Sequence, residues 1–333
     1  MKALVLGCGS IGRRHIAHLR QLGLSDIEAV DTNLATRERV QASLGIRVLA
    51  YPEEGLARRP DVVLVCTPAS SHIEMVRRAV EAGAHVFVEK PLATTLDGTE
   101  DLLRQVRRDG RVVHVGYNLR YHPAVRVGRE LVRSGRLGKL LMAHLEFGLY
   151  LQKWWEGRDY RQSYMVRRDL GGDLILDSSH EIDLALMFLG PAREVTAYAG
   201  KLSRLEIEGP DVVKILLRMA SGALATLSVD CIRPTYSRGF QLNGEDSGLR
   251  WSCADGRADG SLGELELCAG GDRWEPVPVR GNPQDTYLEE LKDFLSAVSS
   301  GSPSPVPMDA GVDVLRVVAA VQRSLETGRS VEV

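Results

Sequence analysis

Short apolar runs alternate with amphipathic stretches along roughly the first third of the chain. The apolar runs lie at residues 4–6, 27–30, 61–66, 86–88 and 111–115. Stretches with helical spacing lie between them at residues 13–21, 73–82 and 99–108. Continuous apolar runs of this length, separated by helices, are typical of strands that are buried on both faces of a parallel sheet. The pattern predicts a doubly wound α/β domain.

The pattern changes beyond about residue 120. Helical spacing returns at residues 124–134, about 175–189, 288–298 and 312–325. Strand-like segments lie at residues 139–149, 195–202, 212–219, 223–231, 239–242, 248–252 and 262–268. Ser221-Gly222 and Asn243-Gly244 are typical of hairpin turns. These features predict a second, α+β domain over residues 121–333, built on a large and mostly antiparallel open sheet.

A glycine motif, Gly7-Cys8-Gly9-Ser10-Ile11-Gly12, lies between the first predicted strand and the first predicted helix. In this context the first glycine allows a tight turn, the second lets the backbone approach a pyrophosphate, and the third lets the helix pack on the strand. The helix N-terminus then offers unpaired N–H groups and a positive dipole to phosphates. The motif predicts a Rossmann dinucleotide-binding domain over residues 1–120.

Asp31 ends the second predicted strand, nineteen positions after Gly12. An acidic residue at this distance can accept hydrogen bonds from the ribose hydroxyls of adenosine and repels a 2′-phosphate. NAD is therefore the expected cofactor. Thr32, Asn33 and Arg37 leave NADP possible, and a capping or turn role for Asp31 is the alternative when the glycine motif is set aside.

The apolar run at 86–88 ends at Glu89-Lys90-Pro91, where the proline stops the strand. Ligands of open parallel sheets bind beyond the carboxyl ends of the strands, so Lys90 is expected in the cleft where cofactor and substrate meet. A solvated Glu–Lys pair is the alternative. Thr67-Pro68 follows the run at 61–66 in the same way, and His72 is expected as a supporting residue near a helix start.

Composition limits the possible classes of function. Of 333 residues, 44% are hydrophobic and 26% are charged, which is typical of a globular protein with two domains. The formal net charge of -2 provides no basic field for nucleic acid or anionic lipid. The apolar runs are far shorter than the roughly 20 residues of a membrane span. Because strand pattern begins at Lys2, no signal peptide is expected ahead of the fold.

The cysteine and histidine patterns predict no metal site. The five cysteines are Cys8, Cys66, Cys231, Cys253 and Cys268. They are scattered and lack a CxxC spacing, which favours reduced thiols in a cytoplasmic protein. His15 and His18 share a face of the first predicted helix, and no carboxylate or cysteine lies beside them in the sequence. Both are expected to pack or to face solvent.

Four motifs occur in the order expected of one protein family. They are Gly7-x-Gly9-x-x-Gly12, Glu89-Lys90-Pro91, Gly116-Tyr117-Asn118-x-Arg120 and Gly171-Gly172-(x)4-Asp177-x-x-His180-x-x-Asp183. In these motifs the chain resembles the glucose–fructose oxidoreductase and inositol dehydrogenase family (Gfo/Idh/MocA) over essentially its whole length. The second and fourth motifs are specific in combination, although neither is specific alone.

The resemblance implies an NAD(P)-dependent dehydrogenase that acts on a secondary alcohol or ketone of a sugar, aminosugar or cyclitol. It also implies that the C-terminal sheet carries the substrate platform and joins subunits, so a homodimer or homotetramer is expected. By position in the motifs, Lys90 orients the substrate and assists proton transfer, and His180 is the proton acceptor. Asp177 orients the substrate or the imidazole.

One departure from the family pattern concerns Asp177. Many members place this aspartate four residues before the histidine, whereas the gap here is three, and Asp173 replaces the third glycine of the usual run. Residues three or four apart share a helix face, so Asp177 is still expected beside His180. A structural histidine tied to Asp177 or Asp183 is the alternative for His180.

The chemistry of alcohol oxidation agrees with these roles. A base must lie within hydrogen-bond reach of the oxygen that loses its proton. Histidine titrates near neutrality, whereas lysine needs burial or a nearby positive charge, such as an oxidised nicotinamide, before it can act as a base. We therefore expect His180 to take the proton and Lys90 to hydrogen-bond the reacting oxygen.

A polar and aromatic loop before residue 170 can bind a polyol or an anionic group, and an oligomer interface is the alternative. The predicted substrate-binding residues are Lys90, Tyr117, Arg120, Arg158, Tyr160, Arg161, Tyr164, Asp177 and His180. The predicted cofactor-binding residues are Gly7, Cys8, Gly9, Ser10, Ile11, Gly12, Asp31, Thr67, Pro68, His72, Glu89, Lys90 and Asn118.

Two other functions remain open from the sequence. One is a reductase of a non-carbohydrate substrate such as a linear tetrapyrrole or an imine, and the other is a non-catalytic dinucleotide-binding regulator. The first has less need of Lys90, Asp177 and His180, because it involves no alcohol deprotonation. The second would more often have lost the lysine and the histidine. The dehydrogenase is favoured for these reasons.

Overall fold

The computed structural model describes residues 1–154, 159–163, 166–254, 261–271 and 273–333. Within this part of the chain there are two compact units. The first consists of Met1–Tyr117 and Tyr287–Val312, and the second consists of Asn118–Thr286 and Asp313–Val333. The chain therefore returns to the first unit before it ends.

The first unit is built on a parallel sheet. Its strands are β1 (Ala3–Leu6), β2 (Ile27–Val30), β3 (Arg47–Leu49), β4 (Val62–Val65), β5 (His85–Glu89) and β6 (Val113–Gly116). They lie in the order β3-β2-β1-β4-β5-β6, and every neighbouring pair is parallel. The order reverses between β1 and β4, which is the switch point at which open α/β sheets bind ligands.

Helices cover this sheet and explain its apolar strands. They are α1 (Ser10–Gln21), α2 (Leu34–Leu44), α3 (Pro52–Leu56), α4 (His72–Glu81) and α5 (Thr99–Arg108). Val5, Leu64 and Phe87 of the sheet are fully buried in one core with Ile16 and Leu19 of α1. Because both faces are covered, these strands carry continuous apolar runs and do not alternate.

The second unit is built on a larger sheet. Its helices are α6 (Pro123–Arg133), α7 (Leu151–Trp154), α8 (Leu174–Asp177) and α9 (Ser179–Leu189). Its strands are β7 (Leu140–Tyr150), β8 (Ala192–Gly200), β9 (Val212–Met219), β10 (Leu224–Asp230), β11 (Ile232–Gly244), β12 (Ser247–Cys253), β13 (Glu264–Ala269), β14 (Glu275–Pro276) and β15 (Val331–Glu332). Their order is β14-β13-β12-β11-β7-β10-β9-β8-β15, with β7 and β10 parallel and the other pairs antiparallel.

One face of this sheet is covered and the other is exposed. Along β9, Val213, Ile215 and Leu217 are buried, whereas the residues between them are exposed. Helix α9 packs against β7 and β10. This alternation is the pattern of an antiparallel sheet with one face on a core.

Two long helices close the chain, α10 (Thr286–Ser300) and α11 (Met308–Thr327). Leu291, Phe294 and Leu295 of α10 join the core of the first unit. Helix α11 begins in the first unit and ends in the second. None of the described helices is both long enough and apolar enough to cross a membrane.

The predicted fold class is confirmed, since a parallel Rossmann sheet precedes a mostly antiparallel one. Two local predictions were wrong: the helix predicted over about residues 175–189 is interrupted at Ser178, and Asn243-Gly244 is not the turn. Asn243 and Gly244 are the last two residues of β11, and the turn falls at Glu245-Asp246. A Cβ on Gly244 would lie 1.9 Å from the carbonyl oxygen of Leu137. A close backbone approach, and not a turn, therefore requires the glycine.

Candidate active site

The glycine motif forms the turn between β1 and α1. Gly7 has a φ of +93°, and a Cβ on it would lie 2.5 Å from the carbonyl oxygen of Cys66. A Cβ on Gly12 would lie 2.0 Å from the carbonyl oxygen of Gly7. At Gly9, the N-cap of α1, no described atom beyond its chain neighbours lies within 4 Å of the Cβ position. The outer glycines thus permit close packing, and the middle one leaves an open approach to the helix.

This geometry fits the pyrophosphate of a dinucleotide. The first N–H groups of a helix have no partner within the helix, and the helix dipole adds positive potential there. Gly9, Ser10 and Ile11 begin α1, with Gly9 and Ser10 exposed. Residues 7–12 can therefore hold the pyrophosphate through backbone N–H groups.

Alanine substitutions separate packing from binding in this motif. Gly12→Ala places a methyl group against a carbonyl oxygen. We therefore expect the free energy of unfolding to fall by about 3 kcal/mol or more, at the upper end of the range for overpacked cores. Gly9→Ala meets open space, so its Tm should stay near that of the wild type while NADH affinity falls by at least about tenfold. Thermal unfolding and NADH fluorescence titration measure both effects. An equal decrease in Tm in the two variants would contradict the assignment of packing to Gly12 and of cofactor binding to Gly9.

Asp31 is held at the end of β2 by backbone donors. Its Oδ2 accepts a hydrogen bond from the backbone N–H of Cys8, and its Oδ1 accepts one from that of Asn33, both at 2.9 Å. Nη1 of Arg37 donates to the carbonyl oxygens of Asp31 at 3.0 Å and Thr32 at 2.9 Å. A carboxylate and a guanidinium therefore share the turn that follows β2.

Lys90 directly follows β5 and is half-buried, and its peptide bond to Pro91 is cis. Nearby, Nδ1 of His72 lies 2.7 Å from the carbonyl oxygen of Pro91, and Nε2 lies 2.8 Å from that of Thr67. Both ring nitrogens can donate only in the protonated imidazole, which the two carbonyls favour, whereas burial lowers the pKa of His72. His72 thus connects the segments that follow β4 and β5.

Other predicted cofactor residues differ in their exposure. Pro68 is exposed, and the Oγ1 of Thr67 accepts a hydrogen bond from the Ser71 hydroxyl at 2.8 Å. Asn118 is buried, and its Nδ2 donates to Oγ1 of Thr286 at 3.1 Å. The side chain of Asn118 is therefore already engaged within the second unit.

Glu89 has a partner that the sequence did not indicate. Its Oε1 lies 2.7 Å from Nε2 of His15, and His15 is fully buried. The two residues are 74 positions apart, so nothing in the sequence near His15 signals the contact. The expectation that His15 packs is met, but a carboxylate lies beside it. Tyr117, predicted to bind substrate, is also fully buried.

Asp177 and His180 lie on either side of a short break between α8 and α9. Asp173 caps α8, because its carboxylate accepts a hydrogen bond from the backbone N–H of Ile175 at 2.8 Å. Both Asp177 and His180 are 8% exposed. The residue that replaces the third glycine of the family pattern is therefore a helix cap, which fixes where α8 begins.

Asp177 also lines a small cleft in the second unit. Other residues that line it are Leu151, Val166, Asp173, Ile207, Pro210 and Cys231. Burial, reinforced by the charge of Asp211, raises the pKa of Cys231 to about 12, so this thiol stays neutral. Apolar walls with a few polar groups are typical of small-molecule sites.

Two buried carboxylates of α9 are paired with arginines. Asp183 accepts hydrogen bonds from Nε of Arg120 at 2.8 Å and from its Nη2 at 2.6 Å. Glu181 accepts one from Nε of Arg238 at 3.0 Å. Burial raises the pKa of Asp183, and Arg120 opposes that shift. The guanidinium of Arg120, predicted to bind substrate, thus holds the helix that carries His180.

The polar loop before residue 170 is described in part. The Tyr160 hydroxyl accepts a hydrogen bond from the backbone N–H of Glu206 at 3.0 Å. Arg161 is exposed and pairs with Asp159 at 2.8 Å and with Glu206 at 3.0 Å. Two further predicted substrate residues, Arg158 and Tyr164, lie outside the described residues. The described part of the loop is therefore fastened to the segment around Glu206.

Comparison with known proteins extends over the whole chain. Residues 1–117 match the family profile described as "Oxidoreductase family, NAD-binding Rossmann fold", and residues 125–250 match "GFO/IDH/MocA C-terminal domain". A myo-inositol 2-dehydrogenase of Thermotoga maritima is 27% identical over 340 residues, covering 100% of this chain and 98% of the relative. A D-xylose 1-dehydrogenase (NADP(+)) of Haloferax volcanii is 27% identical over 338 residues, covering 98% of each.

Solved structures agree on the fold. A levoglucosan dehydrogenase in complex with NADH superposes with a TM-score of 0.87 at 20% identity, covering 100% of this chain and 99% of the other. The two family profiles together cover most of the chain, in the order in which its two sheets occur. The first unit is an NAD-binding Rossmann fold, and the chain belongs to the Gfo/Idh/MocA family of oxidoreductases.

Proposed function

We propose that this protein transfers a hydride between NAD(P) and a secondary alcohol or ketone of a sugar, aminosugar or cyclitol. Two relatives that match over nearly their full length are a myo-inositol 2-dehydrogenase and a D-xylose 1-dehydrogenase. The observation that carries the proposal is the position of Lys90, which follows β5, an interior strand of an NAD-binding sheet, at the edge where ligands bind.

Lys90, His180 and Asp177 divide the proton chemistry in this proposal. Bound NAD(P) supplies the acceptor or donor of hydride. Lys90 hydrogen-bonds the reacting oxygen and polarises it. His180 takes the proton in the oxidation direction and returns it in reduction. Asp177 orients the substrate or the imidazole, and Asp173 and the Arg120–Asp183 pair fix the helices that carry these groups.

The cofactor site in this proposal follows the carboxyl edge of the first sheet. Residues 7–12 hold the pyrophosphate, and Asp31 accepts hydrogen bonds from the adenosine ribose. Thr67, Pro68, His72, Glu89, Lys90 and Asn118 are proposed around the nicotinamide half. On the substrate side, the proposal keeps Tyr117, Arg120, Arg158, Tyr160, Arg161 and Tyr164.

Asp31 is expected to set the preference for NAD over NADP. Asp31→Ser removes the charge that repels a 2′-phosphate and leaves Arg37 on the same turn. We expect the ratio of kcat/KM for NAD to that for NADP to fall by about tenfold or more, since each tenfold equals about 1.4 kcal/mol. Arg37→Ala serves as the control and should raise the ratio. An unchanged ratio in Asp31→Ser would contradict the assignment.

The direct test of the proposed function is a binding and turnover screen. NADH fluorescence measures cofactor binding, and NAD reduction is then followed with inositols, hexoses, pentoses, aminosugars and sugar nucleotides. We expect turnover in at least one of these classes. Binding of NADH without turnover on any of them would favour a regulator. Turnover confined to an imine or a linear tetrapyrrole would favour a non-carbohydrate reductase.

The same proposal includes the domain division and self-association. Residues 1–120 bind the dinucleotide, and residues 121–333 bind substrate and join subunits. The exposed face of the second sheet carries large apolar side chains, namely Met142, Tyr198, Leu216 and Leu224. Leu224 is aligned with Met142 on the neighbouring strand. We propose that a second copy of the chain covers this face in a cytoplasmic homodimer or homotetramer, and the molar mass in solution tests it.

A further inference from the structure

A cluster of two carboxylates and an imidazole lies inside the first unit. Its members are His15 of α1, Glu89 at the end of β5 and Glu290 of α10. One side-chain nitrogen or oxygen atom of each lies within 4.8 Å of those of the other two. His15 and Glu290 are fully buried, and Glu89 is 9% exposed. Three distant parts of the chain thus bring titratable groups together behind the strand end that carries Lys90.

Glu290 is the unusual member of this cluster. Neither of its carboxylate oxygens has a hydrogen-bond partner among the described residues. Glu89, by contrast, is bonded to His15 at 2.7 Å. An ionised carboxylate is costly to bury without donors, and a second carboxylate nearby adds repulsion. Burial and the neighbouring Glu89 both raise the pKa of Glu290.

Two of the titratable groups around the cluster, a thiol and a phenol, have raised pKa values. Burial raises the pKa of the Cys66 thiol well above its usual value, and the charge of Glu89 adds to the shift. Burial also raises the pKa of Tyr287 to about 12. The guanidinium of Arg14 lies over the Tyr287 ring, 4.6 Å from its centroid, and it and Lys90 partly offset that shift. The balance around Glu290 therefore favours the uncharged acid.

We propose that Glu290 is a neutral carboxylic acid at neutral pH and that it holds this proton beside the hydrogen-bonded Glu89–His15 pair, which makes this cluster a buried proton site next to Lys90. With three protein ligands, zinc, magnesium or calcium would need water to complete its coordination. All three side chains are buried, so a proton suits the cluster better than a hydrated metal ion. The two carboxyl groups of the cluster then carry one negative charge and not two.

The consequence for Lys90 rests on the proposed function. A negative charge near an ammonium group makes it a weaker acid, so a second carboxylate would weaken the hydrogen bond that Lys90 donates to the reacting oxygen. A neutral Glu290 avoids this effect while the carboxyl group still fills its site. Glu290 is thus a positioning residue that acts through Glu89.

Infrared spectroscopy of the full-length protein tests the protonation state without any assay of activity. At neutral pD, where exposed carboxyl groups are ionised, we expect the C=O stretching band of a neutral carboxylic acid in the wild type. The band should disappear in Glu290→Gln and persist in Glu289→Gln, a matched control on the same helix whose side chain is 37% exposed. A wild-type spectrum without the band, or one equivalent of metal by elemental analysis, would overturn the proposal.

The pH dependence of stability is a second readout. A carboxyl group whose pKa is raised on folding stabilises the protein at low pH, and this contribution is lost as the pH rises towards the folded-state pKa. Glu290→Gln removes that loss, so its Tm relative to the wild type should rise with pH. The ratio of the unfolding equilibrium constants of the wild type and Glu290→Gln should change by up to about tenfold per pH unit. A Tm difference that is constant between acid and alkaline pH would contradict a neutral Glu290.

The pH profile of kcat/KM tests the link to Lys90. Glu290→Gln should keep the alkaline limb that reports loss of the Lys90 proton, because the charge of the cluster is unchanged, whereas Glu89→Gln should move that limb to lower pH. A limb that moves to lower pH in Glu290→Gln would show that Glu290 is charged and overturn the proposal. If the infrared band is present but no substrate class is turned over, the proposed function fails and the proton site stands.

Discussion

Replacing Lys90 with methionine is expected to lower kcat by about 10²-fold to 10⁴-fold, the range associated with loss of a positioned acid or base. Methionine keeps the length and apolar stem of the side chain but cannot hydrogen-bond the reacting oxygen. Lys90 follows β5 at the ligand-binding edge of the first sheet. Steady-state turnover of the best substrate found in the screen measures the effect.

Cofactor binding and a matched lysine control this experiment. NADH affinity of Lys90→Met should change by less than about tenfold, because residues 7–12 and Asp31 remain. Lys292→Met alters an exposed lysine of α10, and its turnover should match the wild type. Wild-type turnover in Lys90→Met would remove Lys90 from the catalytic machinery.

His180→Asn should also lower kcat by about 10²-fold to 10⁴-fold, and it should change the pH profile. Asparagine can hydrogen-bond but cannot accept a proton near neutrality, so the acid limb of kcat/KM that belongs to the histidine should disappear. The side chain of His180 is 8% exposed, at the start of a helix held by the Arg120–Asp183 pair. The pH dependence of kcat/KM between acid and alkaline conditions measures the change.

A control histidine and a double variant make this prediction specific. His144→Asn alters a half-buried histidine of β7 and should leave both turnover and pH profile as in the wild type. If Lys90 and His180 act on the same oxygen, the loss in the double variant should be smaller than the product of the single losses. Losses that multiply would indicate that the two residues act independently.

The fold could be predicted where burial imposes a pattern on the sequence. Strands β1, β2, β4 and β5 are covered on both faces, so their apolar runs stand out. Helix α2 and strand β3 were missed, because Val40 is the one residue of α2 that is fully buried and β3 has three residues. The side chain of Asn33 caps α2 and Gly45 ends it at a φ of +60°, so the capping pattern was the available signal.

The glycine positions show a second limit of prediction from the sequence. The sequence marks Gly222 and Gly244 equally well as turn residues, and Gly222 does lie in a turn, at a φ of +89°. Gly244 lies in a strand, where the carbonyl oxygen of Leu137 leaves no room for a Cβ. The local sequence shows that a glycine is present but not why the position requires one. The neighbour that requires it belongs to a segment more than a hundred residues away.

Part of the candidate site could also be predicted from local sequence, and part could not. Residues 7–12, Asp31 and Lys90 could be found because each sits at a strand end, which local patterns locate. The pairing of Arg120 with Asp183 and the gathering of His15, Glu89 and Glu290 depend on long-range packing. Composition and spacing carry no record of such contacts, so the structure was needed to find them.

The measurement that tests the central claim most directly is a structure of the protein with NAD(H) and a substrate or product bound. The account predicts that Nζ of Lys90 and a ring nitrogen of His180 both lie within hydrogen-bond distance of the same substrate oxygen, whose carbon faces the nicotinamide. A ternary complex in which either nitrogen is remote from that oxygen would contradict it.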